Sequence, residues 1–175
     1  MINCTSLALN GLDISCADSI GGIKEVYIAL RDKVTQITVD GENEGLIQAI
    51  TMKDTEKFKT YKFRKQTGSL TSTVTTDDAA GTSYVSSVLA LQFTKADQTK
   101  RLEIQSLVFA NVYVIVKDQN GTNFLLGLDN PVTCTAATHA SGQAVGDFNG
   151  YTIELTDLSR QMPYIVPDSV LETVV

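Results

Sequence analysis

Hydrophobic residues along this chain alternate with polar ones far more often than they recur at helical spacing. The stretch IKEVYIALR (23–31) follows Gly21-Gly22 and reads as a strand, with Val26, Ile28 and Leu30 on one face and Tyr27 and Ala29 on the other. VTQITV (34–39) is a second strand of mostly β-branched residues, stopped by the turn chemistry of Asp40-Gly41. LIQAITM (46–52) fits a short strand or a helical turn. KFKTYKFRK (57–65) is an extended run with aromatic residues at 58, 61 and 63 among cations. The Thr-rich SLTSTVTT (69–76) and the long TSYVSSVLALQFT (82–94), where Leu89, Leu91 and Phe93 alternate, flank a polar loop. Together 69–94 reads as one long hairpin with a polar tip and a base in the core.

Helical period is sustained only over 95–109. Thr94 or Asp97 can cap this helix, Ile104, Leu107 and Val108 share one face, and Asn111 ends it. VYVIVK (112–117) is apolar on both faces and reads as a central strand. Asn120-Gly121 is a tight-turn signal, and NFLLGL (123–128) is the return strand. Residues 129–150 form a polar stretch rich in Thr, Ala, Ser and Gly, which reads as a long functional or disordered loop. YTIELT (151–156) alternates again, with Tyr151, Ile153 and Leu155 inward. The tail from Pro163 holds two of the three prolines and reads as an extended or edge segment. The first 22 residues carry turn signals without a period. The expected fold is mainly β (α+β), a single domain over 1–175. It is a two-sheet β-sandwich or barrel with one packed helix (about 95–109) and a long hairpin (about 69–94).

Charge narrows the function. Twenty acidic against 14 basic residues give a net charge of −6, and only 57–65 concentrates cations. Gripping nucleic acid requires neutralising many phosphates, so this balance opposes tight DNA or RNA binding. The basic, aromatic run is the best nucleic-acid candidate. Its lysines equally suit blunting a strand edge or pairing with acidic groups of a neighbouring subunit. The chain shows no secretory pattern and no apolar run of membrane-spanning length, so a soluble, cytoplasmically made protein is expected. Asp13 stands where a lipoprotein signal at Cys16 needs an aliphatic residue. Cys4, Cys16 and Cys134 are odd in number and lack metal-ligand spacing, and read as free thiols. The glycosylation sequons at Asn3 and Asn120 read as chance matches.

No catalytic constellation emerges, and the expectation is a protein that is not an enzyme, with no catalytic, cofactor-binding or metal residues. His139 is the only histidine, it sits in the 129–150 stretch, and no nucleophile elbow accompanies it. Asp77-Asp78 are neighbours and face apart, unlike a catalytic carboxylate pair. The stretch DGENEG (40–45) is acidic enough to consider for calcium, lacks EF-hand spacing, and reads as a turn.

The order of elements, together with SGQAVGDFNGYTIELT (141–156), PYIV (163–166) and the Gly-Gly-Ile-Lys lead-in at 21–24, resembles phage tail-tube and tail-ring structural proteins. The likeness is to those of gut Bacteroidetes phages and to related contractile-injection tubes. The resemblance implies homo-oligomeric rings, commonly hexamers, stacked into a tail conduit in the virion. It implies contacts to other tail proteins and DNA passing without specific binding. It further implies inter-ring contact through Asp77, Asp78, Ala79, Ala80 and Gly81. Lys57, Lys59, Lys62 and Arg64 are then expected at a subunit interface or the exterior, away from the lumen. Competing readings are a head–tail connector, ring or baseplate part of another fold, and a carbohydrate- or ligand-binding β-sandwich. The last fits poorly with a chain that has no Trp.

Overall fold

Several segments carry apolar residues on both faces, and such a strand must be covered on both sides. A computed structural model, which describes residues 11–12 and 18–175, shows how. Cys4, Cys16, Asp13 and the Asn3 sequon lie outside the described residues. The strands are β1 (Ile23–Leu30), β2 (Val34–Val39), β3 (Ile47–Met52), β4 (Lys59–Tyr61), β5 (Gly68–Asp77), β6 (Thr82–Thr94), β7 (Val112–Asp118), β8 (Asn123–Leu126), β9 (Thr133–Ala140), β10 (Gly150–Ser159) and β11 (Tyr164–Ile165). The helices are α1 (Gln98–Phe109) and α2 (Asp168–Val174).

A five-stranded sheet, β11-β8-β7-β1-β4, lies in the middle of the molecule. On one face Val26, Ile28, Val114, Val116 and Leu126 pack with Leu89, Leu91, Ile153 and Leu155 of a four-stranded sheet, β5-β6-β10-β9. On the other face Tyr27, Ala29, Ile115 and Leu125 pack with Ile47 and Ile50 of the β2–β3 hairpin and with Leu171 and Val174 of α2. The central sheet is thus buried twice, which is why β7 reads as apolar throughout. Neither large sheet closes on itself, so the sandwich, not the barrel, is the architecture.

The 82–94 strand, the hairpin and the mainly β fold stand as expected. Residues 46–52 resolve as strand. The helix starts at Gln98, where Asp97 caps it by accepting from Lys100 N at 2.9 Å. Ile104 and Leu107 are its buried residues, whereas Val108 is 38% exposed.

Four expectations need correcting. The 57–65 run is a strand only over Lys59–Tyr61, because its aromatics serve different cores. Phe58 packs on the α2 side of the central sheet, while Tyr61 and Phe63 pack on the opposite side, so the chain crosses the sheet's rim. The 129–150 stretch is not one long loop, since 133–140 is β9, hydrogen-bonded to β10 at the sheet's edge. Its small and polar side chains conceal the strand because almost none of them is buried. The return strand after Asn120-Gly121 ends at Leu126, and Gly127 turns away with φ +96°. Finally, α2 follows Pro167 in the tail, where only Tyr164–Ile165 is an edge strand. No helix among the described residues is long and apolar enough to cross a membrane.

Candidate assembly surfaces

Side chains alternate across a strand, so the inner positions of the four-stranded sheet identify its outer ones. Val85, Ser87, Leu89 and Leu91 face inward on β6 and are buried. The outer face therefore carries the cross-strand rows Ser69–Ala90–Glu154, Thr71–Val88–Thr156 and Thr73–Ser86–Leu158, together with Gln92–Thr152–Thr138. Thr135 Oγ1 and Thr156 Oγ1 lie 2.9 Å apart on the same face. This face is uncovered, rich in hydroxyls, and in the body of the sheet carries one charged side chain, Glu154.

The distal part of the β5–β6 hairpin extends this sheet past the core. From Thr73 through Tyr84 every residue is exposed, on both faces of the ribbon, and Val74 and Tyr84 remain 50% and 44% exposed. An isolated two-stranded ribbon is marginal in water, so such an arm gains stability by lying against something. The tip residues Asp77, Asp78, Ala79, Ala80 and Gly81 are all exposed. Asp77 Oδ1 accepts from Ala79 N at 3.0 Å and Ala80 N at 3.1 Å, and Gly81 takes φ +64°, so the tip is a built turn.

β5 is also a sheet edge, and its residues 68–76 contain neither proline nor charge, the usual devices that discourage strand addition. The edge at β4 is protected differently. Lys57, Lys59, Lys62 and Arg64 are exposed there, and Tyr61 between them donates to Glu103 of α1. The two expected contact regions therefore sit on different sheets, and the structure does not bring them together. A third open patch lies on α1, whose outward side carries Leu102 and Phe109, the latter 82% exposed.

The chemically reactive residues are set up structurally. His139 lies on β9, not in a loop, with its ring centroid 5.0 Å from that of Tyr151 across the strand pair. Asp40 in DGENEG caps its own turn, accepting from Glu42 N at 2.9 Å and Asn43 N at 3.2 Å. Those bonds, with the Asn43 side-chain amide first among them, hold the Asp40 carboxyl below its ordinary range. Burial pushes the Cys134 thiol up, away from thiolate chemistry.

Sequence reasoning missed one feature. Asp157 continues the inward series of Ile153 and Leu155 and is 2% exposed. It stands opposite Ser87, fully buried, whose Oγ lies 2.7 Å from that of Ser72. The signal was available, since the alternation beginning at Tyr151 runs on through position 157. No family model, curated protein or solved structure matches the chain.

Proposed function

We propose that this chain is a virion structural subunit that assembles with copies of itself into rings forming or extending a tail conduit for DNA. The observation that carries the reading is the open outer face of the β5-β6-β10-β9 sheet. A wall along which DNA slides must not neutralise phosphates, and this face offers hydroxyls and one anion but no Lys or Arg among its described positions. The arm supplies the reach to a neighbouring ring, with Asp77–Gly81 at its tip. The cations of 57–64 lie at the rim of the other sheet, where they meet neighbouring subunits or the exterior. In this reading the protein is no enzyme, and its partners are itself and other tail proteins.

Negative-stain microscopy of the purified protein tests this. Closed rings or stacked tubes of uniform diameter are expected, and removal of 77–81 should weaken stacking while leaving the fold intact. A strictly monodisperse monomer at high concentration contradicts the proposal. Rings that stack unchanged without 77–81 contradict the role of the arm tip.

A further inference from the structure

The tip of the arm is chemically unlike the rest of its hairpin. Asp77 and Asp78 are the only charged side chains across residues 66–94, and the small Ala79, Ala80 and Gly81 follow them. The strand from Thr73 to Asp77 carries this tip roughly 15 Å past the core. Asp77 Oδ1 is spent on capping the turn, which leaves its Oδ2 and the Asp78 carboxylate for cations elsewhere.

A matching surface lies at the rim of the central sheet. Between β4 and α1 a cleft of about 240 Å³ opens over an apolar floor that includes Ile28, Leu107 and Val112. Lys57 and Lys59 stand on its rim beside an ion pair, Lys33 Nζ to Glu56 Oε1, at 2.9 Å. The other carboxylate of the cleft, Glu103, accepts the Tyr61 hydroxyl. Both carboxylates are thus engaged within the cleft. Lys57 donates to Val175 O, and Lys59 forms no ion pair among the described residues. No residue of the arm lines the cleft of its own chain, so an arm tip seated there belongs to another copy.

We propose that this cleft receives the arm tip of a second copy of this chain. Asp77 and Asp78 meet Lys59 and Lys57 at the rim, while Ala79 and Ala80 rest on the apolar floor. Opposite charges steer the two surfaces together and fix their register, and the tip's small side chains suit a shallow apolar floor. The contact is heterologous, tip on cleft, so every copy offers one of each and the pairing passes from copy to copy. The inference rests on the assembly reading and names the two surfaces that meet. It also gives the one concentration of cations in the chain a task away from the open outer face.

Charge reversal in the full chain, followed by sedimentation at low salt, tests it. D77K/D78K and K57E/K59E should each weaken association by about tenfold or more. The variant carrying all four changes should return to within about threefold of wild type, because the reversed charges pair again. Sodium chloride at about 0.5 M should weaken the wild-type contact as well. Should K57E/K59E fail to fold, D78K with K59E carries the same cycle. Association unchanged by either reversal, or not restored by their combination, overturns the inference and leaves the assembly reading standing. A wild type that stays monomeric overturns both.

Discussion

The two large sheets of this protein solve the same problem to different extents. The central sheet is covered on both faces, by the second sheet on one side and by the β2–β3 hairpin and α2 on the other. The four-stranded sheet is covered on one face only, and its β5–β6 ribbon runs on as an arm exposed on both sides. A monomer needs the first sheet to fold. It has no evident need of a 12-residue ribbon lacking a core, or of an uncharged ten-residue edge strand ending in one aspartate. The difference assigns folding to the central sheet and to the inner face packed on it, and under the proposed assembly it leaves the outer face and the arm for association.

Core truncation should break the first half of that comparison most strongly. Leu89→Ala, between the sheets, and Ile115→Ala, on the α2 side, should each cost about 3 kcal/mol in denaturant unfolding, since both side chains are fully buried. Thr73→Ala on the outer face should stay within about 0.5 kcal/mol of wild type. Equal costs at all three positions contradict the division of labour.

A smaller and pH-dependent effect belongs to Asp157. Burial is the largest influence on its carboxyl and raises its pKa, opposed mainly by the Gly127 N–H. A carboxyl whose folded pKa lies above its unfolded value contributes stability below the unfolded pKa, and this is lost as pH rises through the folded one. Asp157→Asn should therefore gain on wild type as pH rises from below about 4 towards neutral, followed by unfolding at a series of pH values. A difference that does not vary with pH contradicts the burial account.

The smallest effect on stability carries the most information about the open face. Glu154→Lys should leave unfolding nearly unchanged, because the side chain is exposed. It replaces the sheet's one outer anion with a cation, so assembled variant protein should retain DNA in low-salt filter binding where wild type does not. No gain in retention argues against that face as the DNA-facing wall.

How much of this was legible in the sequence follows from burial. Strands with an apolar face declared themselves, as in β6 and β10, and double-sided apolarity marked β7 as central. β9 was hidden because TCTAATHA buries almost nothing, so its composition resembled a loop. α2 was hidden by brevity and by Pro167, whose breaker signal masked a helix that begins directly after it. The basic run looked like one strand because its cations are regular, yet Phe58 and Phe63 point into different cores. The burial of Asp157 followed from the alternation begun at Tyr151, whereas its hydrogen bond from the Gly127 N–H depends on how β10 and the turn at Gly127 meet in three dimensions. The arm tip was legible from Asp77-Asp78 and Gly81, whereas the open face required the cross-strand register.

The proposal that the covered faces fold the monomer while the open face and the arm join copies is tested most directly by hydrogen exchange. Exchange is measured on the same protein at dilute and at assembling concentrations. Amides of residues 68–86 should gain protection on assembly, with those of β1, β7 and β8 unchanged because they are slow already. Protection gained only on the β2–β3 hairpin and α2, or none with concentration, contradicts the account.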